Sequence, residues 1–205
     1  MIPIKKIDIM PPKRKISKDL LLAHAFAIAE ESGINSVTSR SVAKRVGCSI
    51  RPVFSHFATM EELRQATFDY TCDVFEKETQ AYEQYPDFSS RVTMWVINLA
   101  RHRPNLYRLV YLSDTFRNKE LPDAITGFQV NEKILQKMVG QYELPRDTCN
   151  DILQRTFLLL YGAATMVCVN HAALSNEQIA SMINQSVSDM VQSAKCANGE
   201  NEERG

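Results

Sequence analysis

The stretch SVAKRVGCSIRPVFSHF, residues 41–57, holds two short helical runs split by Gly47 and a polar break. Neither run can stand alone in water. The first hydrogen-bonded turn fixes several backbone dihedrals for a single bond, and only tertiary packing offsets that cost. Val42 and Val46 lie four residues apart on one face, Ala43 is small enough for close helix contact, and Gly47 supplies a left-handed residue that ends the first run. In the second run Val53 and Phe57 share a face, and Pro52 is either the first helical residue or a source of strain at Arg51. Two such helices, joined by a glycine turn and packed on a longer one, make a helix-turn-helix. The second helix then offers its outer face to a DNA major groove about 12 Å wide.

The flanking sequence supplies the rest of that unit. Leu20, Leu21, Ala23, Ala25, Ile28 and Ala29 recur at helical spacing between an N-cap at Ser17 and a stop at Gly33, which predicts a helix over 17–32, with the next from Thr38 to Val46. Thr59-Met60-Glu61-Glu62 is a capping box opening a fourth helix towards Glu78. Beyond YEQYPDF (82–88) every long segment keeps a helical period: 89–102, 103–112, a run opened by Pro122-Asp123 and ending near Gly140, and a long one from Pro145 to about His171. The last helix starts at a Ser175/Gln178 capping box and carries Ile179, Met182, Ile183, Val187, Met190 and Val191 on one stripe. No strand pattern emerges, so the expected fold is all-α, with about nine helices. The organisation reads as a basic arm (1–16), a three-helix helix-turn-helix domain (17–57), a connecting helix (58–78), a larger helical domain (79–197) and a polar, frayed tail (198–205).

The formal charge of zero conceals an asymmetry. Residues 1–57 carry ten Lys and Arg against four Asp and Glu, and the remainder carries 14 against 20. A basic end points to a polyanion, with nucleic acid first. The five cysteines form no C-x-x-C pair and no even disulfide set, which fits a reducing cytoplasm. The N-terminal residues lack the apolar stretch of a secretory signal. The longest apolar run, Phe157 to Val169, is broken by Gly162 and Thr165 and falls short of the roughly 18 residues of a spanning helix, so no membrane partner is expected. His24, His102 and His171 form no i, i+4 pair, and no metal, cofactor or acid/base pair is expected; nothing marks an enzyme.

With the inner face assigned to Val42, Val46, Val53 and Phe57, the outward set is Ser39, Arg40, Lys44, Ser49, Ile50, Arg51, Ser55 and His56, with Phe54 beside them. Arg51 is the candidate for reading guanine through its O6 and N7. Arg40 reaches bases or backbone, and Lys44 and His56 contact phosphates. Ser49 either caps the third helix or touches DNA. Ile50 and Phe54 meet thymine methyls or pack, and packing is the expectation for Phe54. Farther on, Met94, Trp95, Leu99, Tyr107, Tyr111, Phe116, Phe128, Phe157 and Tyr161 supply aromatic and methionine surface for a core or an apolar cavity.

Leu20 to Leu63 resembles the DNA-binding domain of the TetR family of transcriptional regulators. The shared features are Gly33, Thr38, Val42-Ala43, Gly47, Phe54-Ser55-His56-Phe57 and Glu61-Glu62-Leu63. Two positions depart from the pattern: Phe54 replaces the usual tyrosine and Met60 the usual lysine, removing two phosphate contacts. Either the operator is bound less tightly, or other groups replace the missing contacts, with Lys13-Arg14-Lys15 the candidate. The resemblance implies a homodimer on a double-stranded operator, a repressor controlled by a small-molecule effector; a coactivator working mainly through protein contacts is the alternative. It also places an effector pocket in the larger domain, lined by Trp95, Leu99, Tyr107, Tyr111, Phe128 and Tyr161. The apolar final two helices are the expected dimer interface, through Leu158, Gly162, Thr165, Met166, Val169, Ile179, Ile183 and Val187.

Overall fold

The structure is a computed structural model and describes residues 16–113, 129–170 and 172–202. Among these residues the chain has nine α-helices and no strand. They are α1 (Lys18–Ser32), α2 (Ser39–Val46), α3 (Arg51–His56), α4 (Met60–Gln80), α5 (Phe88–His102), α6 (Pro104–Tyr111), α7 (Gln129–Tyr142), α8 (Arg146–Asn170) and α9 (Asn176–Glu202), with a single 3-10 turn at Ile34–Ser36. The all-α expectation holds. The basic arm at Lys13-Arg14-Lys15, Phe116, the Pro122-Asp123 start of the seventh helix, Phe128 and His171 lie outside the described residues. So do positions 203–205. The last helix continues to Glu202, through the stretch where the sequence points to a frayed tail.

Local chemistry explains the boundaries. The Ser17 hydroxyl accepts from the Leu20 amide at 3.1 Å and starts α1. At α2, Thr38 and Ser41 cap each other, each side-chain oxygen accepting from the other residue's amide at 2.9 and 3.0 Å. A serine here does the work of the usual Glu or Gln. Gly47 sits at φ 76°, and the Cys48 amide closes on the Ala43 carbonyl at 2.9 Å, the six-to-one bond of a Schellman end.

In the third helix Pro52 is not the first helical residue. Arg51 is its first residue and Pro52 its second, and the N-cap is Ile50, with no side-chain cap bond, so Ser49 does not cap it. Pro52 sacrifices no hydrogen bond in a first turn, which is why the helix tolerates it. At α4 the Thr59 hydroxyl accepts from the Glu62 amide at 3.0 Å, while the Glu62 carboxylate reaches to the Ala58 amide, one residue beyond the N-cap. Thr67, Thr71 and Thr79 on α4 are buried, and each hydroxyl donates to the carbonyl four residues earlier.

Two apolar cores result. The first is continuous from the head, through Val42, Val53, Phe57 and Leu63, into the body at Phe75, Leu106 and Tyr107. The second lies at the far end and joins Phe88 and Val92 to Leu135, Ile152, Leu153 and Val191. Helix α8 packs on α5, α7 and α9. By length and composition alone it is apolar enough to cross a membrane, which the sequence reading did not anticipate.

Head and body are also joined by charge. Arg103, the N-cap of α6, donates from Nε to Glu30 of α1 at 2.6 Å and from Nη1 to Glu78 of α4 at 2.9 and 3.1 Å. Its guanidinium lies 5.7 Å from the Phe26 ring centroid and 5.9 Å from that of Phe75. Asn105 adds a bond from its amide to the Glu30 carbonyl. Ion pairing to both carboxylates outweighs partial burial and holds the guanidinium above its ordinary range. Replacing Arg103 with Ala leaves two carboxylates half-buried without their cation. Urea unfolding should show a loss of about 1–2 kcal/mol, discounted for solvent screening, with Arg103→Lys intermediate because an ammonium cannot bridge both partners in the same plane.

Candidate DNA-binding face and internal cavity

On the head, Val42, Val53 and Phe57 are buried and Val46 is half-buried. Arg40, Lys44, Ser49, Ile50, Arg51, Phe54 and Ser55 are exposed. Ile50 is 46% and Phe54 48% exposed, so the packed reading of Phe54 is corrected: Val53 and Phe57 take the inner face and turn Phe54 outward. Ser39 departs in the other direction and is buried, because it shares the inward side of α2 with Val42 and Ala43. Arg45 is held by a bidentate pair with Glu31, whose hydrogen bonds lower the Glu31 carboxyl below its ordinary range. Among the described residues no ion pair engages Arg40, Lys44 or Arg51.

His56 is half-buried, with Nε2 3.0 Å from the Ile16 carbonyl. A carbonyl oxygen only accepts, so the proton sits on Nε2 and Nδ1 is the ring's remaining polar atom. His56 therefore ties the recognition helix to the residues leading into α1, an anchoring role that its position in the sequence does not announce.

The body encloses a cavity of about 360 Å³ bordered by α5, α6, α7, α8 and α9. Trp95, Tyr107, Tyr111 and Tyr161 line it. Leu99 does not; it is buried in the first core. Tyr107 and Tyr111 stack at 5.1 Å between ring centroids, and Phe157 and Tyr161 at 6.0 Å. The Tyr161 hydroxyl donates to the Tyr111 carbonyl at 2.8 Å, and the Tyr107 hydroxyl lies 3.0 Å from that of Thr165. The Trp95 indole N–H donates to Glu78 at 3.0 Å, the same carboxylate that Arg103 grips. That shared carboxylate escaped the sequence reading, since its members are separated by 17 and 25 positions.

Part of the expected dimer set faces elsewhere. Ile179 and Ile183 are buried in their own chain's core, Ile183 and Val187 line the cavity, and Thr165 is half-buried against Tyr107. The one-stripe pattern of α9 is real, but the chain itself covers it, and Met182 turns out to solvent instead. Leu158, Gly162, Met166 and Val169 are exposed along α8, with Leu158 52% and Met166 50% accessible. Ala164, Val167 and Cys168 turn the other side of that helix inward.

A helix-turn-helix head continuous with an all-α body is the architecture of a one-component DNA-binding regulator. Residues 21–67 match the family model described as bacterial regulatory proteins, tetR family. Over the whole fold, a Mesorhizobium loti protein described as a TetR-family transcriptional regulator superposes with a TM-score of 0.56 at 15% identity, covering 85% of this chain and 94% of that one. A Clostridium perfringens protein described as a fatty acid metabolism regulator gives 0.56 at 12% identity over 84% and 97%. A transcriptional regulator from Rhodococcus sp. RHA1 gives 0.53 at 18% identity over 87% and 98%. A search of curated proteins finds no match. The head matches the tetR family model, and the chain as a whole has the fold of these solved regulators. Nothing in these likenesses favours a coactivator.

Burial raises the Tyr107 phenol from 10.0 to about 12, partly opposed by its bond to Thr165, and raises Tyr111 further. A raised folded value means that the neutral phenol stabilises the fold fully below pH 10, and that this contribution is lost as the pH climbs to about 12. Thermal melts across that window should show stability falling, and falling less steeply in Tyr107→Phe.

Proposed function

We propose that the protein is a homodimeric transcriptional repressor in the cytoplasm, whose affinity for a double-stranded operator is set by a small molecule in the body cavity. The observation that carries the reading is the solvent-facing row of Arg40, Lys44 and Arg51, on a head whose residues 21–67 match the tetR family model. Arg51, at the first position of α3, reads a guanine edge, and Arg40 and Lys44 neutralise phosphates. The exposed Ile50 and Phe54 meet thymine methyls and sugars. Phe54 lacks a tyrosine's hydroxyl and Met60 a lysine's charge, so the arm at Lys13-Arg14-Lys15 supplies the compensating phosphate contacts.

Two copies pair through the exposed α8 stripe of Leu158, Gly162, Met166 and Val169, joined by Met182 of α9. Nothing stands within 4 Å of a Cβ built at Gly162, so a second helix has room to approach there. The pairing sets two recognition helices about 34–36 Å apart, or a longer multiple of one DNA turn. An effector beside Trp95 displaces Glu78, and with it Arg103 and Glu30, which changes how each head is held on its body. The effector acts because it binds one head spacing better than the other.

Four outcomes are expected. In gel-shift titrations at two salt concentrations, wild-type binding should be selective and weaken with salt. Arg51→Ala should cost about 1–3 kcal/mol and relax selectivity, and Arg51→Glu should abolish binding; selective binding by Arg51→Glu would falsify the assigned reading face. In sedimentation equilibrium, Leu158→Asp/Met166→Asp should be monomeric and bind operator poorly, whereas a persisting dimer would place the interface elsewhere.

A further inference from the structure

The cavity is chemically one-sided, and this narrows what it can hold; the inference rests on reading it as the effector site. Among the described residues that line it, none is a lysine, arginine or histidine, and Asp87, the one ionised group, is already paired with Arg91 at 2.7 Å. Four of the buried and half-buried hydroxyls that line it have their protons committed to main-chain carbonyls. Thr79 donates to Phe75, Thr93 to Ser89, Thr156 to Ile152 and Tyr161 to Tyr111, at 2.7 to 3.0 Å. Each keeps oxygen lone pairs and so remains an acceptor.

Neutral donors also line it at Tyr142, at the half-buried Asn131 amide and at the exposed Ser89, Ser90, Gln141 and Asn184. The other walls are hydrocarbon and ring, among them Val92, Val96, Met138, Leu153, Phe157 and Leu160. An anion entering this space would exchange its hydration shell for a lining that offers no cation among the described residues. An uncharged hydrocarbon with a polar hydrogen would bury its body against the rings and give that hydrogen to a threonine or tyrosine oxygen. At about 360 Å³ the volume lies at the small end of small-molecule pockets.

We infer that the effector is an uncharged, largely hydrocarbon molecule carrying at least one O–H or N–H donor, and that carboxylates are excluded. The chain's single tryptophan, Trp95, lines the cavity, so its fluorescence reports occupancy without labelling. The full-length protein would be titrated at neutral pH with three probes that do not absorb at the excitation wavelength: 4-tert-butylcyclohexanol, its methyl ether and the corresponding carboxylate. Trp95 emission and melting temperature are both followed.

The alcohol should shift the emission saturably and raise the melting temperature, the ether should bind about tenfold more weakly for want of its donor, and the carboxylate more weakly still. Val187→Phe, which fills the cavity, should abolish the response while keeping a cooperative melt; if it does not fold, Val96→Phe serves the same purpose. A carboxylate that binds as tightly as the alcohol overturns the ligand class and leaves the cavity as a receptor. An ether equal to the alcohol removes the donor requirement. An unchanged response in a folded cavity-filled variant places binding elsewhere, and silence with all three probes overturns the class. The alcohol binding without altering operator affinity would instead refute the control by effector proposed above, leaving the ligand class intact.

Discussion

One guanidinium holds the molecule's two halves in register. Arg103 sits where α5 hands over to α6, and its nitrogens reach Glu30 on the first helix of the head and Glu78 on the connecting helix. The planar fork suits two carboxylates approaching from different helices, and the Phe26 and Phe75 rings beside it limit the water that could screen the pairs. Remove the charge and the head still packs on the body through its shared core. What goes is the angular definition that directional bonds give and apolar contact does not.

The cavity and that junction share one side chain. Trp95 touches the cavity with its ring and Glu78 with its N–H, so one side chain borders both the candidate effector and the carboxylate that orients the head. Elsewhere the lining pairs stacked rings with hydroxyls that donate to main-chain carbonyls. Trp95 is the place where an incoming molecule meets a charged network rather than a closed one.

How much was legible in the sequence follows from the range of each interaction. Caps and glycine ends act within a few residues, so Ser17, Thr38, Gly47, Thr59 and Ser175 could be read as boundaries and stand where the helices begin or end. The inner face of the head was legible because Val42, Val53 and Phe57 follow a helical period. Phe54 and Ser39 were misread because a six-residue helix gives too few turns to fix its rotation, and because a small polar residue can be buried without a periodic signature. The α9 stripe was correctly found but assigned to the wrong neighbour: a period says that a face is covered, not by which chain. The Arg103 network and the tether from His56 to Ile16 join residues 73, 25 and 40 positions apart, and nothing local encodes them.

The buried threonines of α4 bear on what kind of mechanical element joins head and body. At Thr67, Thr71 and Thr79 a hydroxyl competes for a carbonyl that the helix also uses, an arrangement that softens the backbone bond and favours curvature. The 21-residue connector is thus closer to a leaf spring than to a rigid strut, its compliance spread over several turns. A small push at its Thr79 end is accommodated as gradual bending, and reaches the Met60 end as a change of tilt rather than as a break.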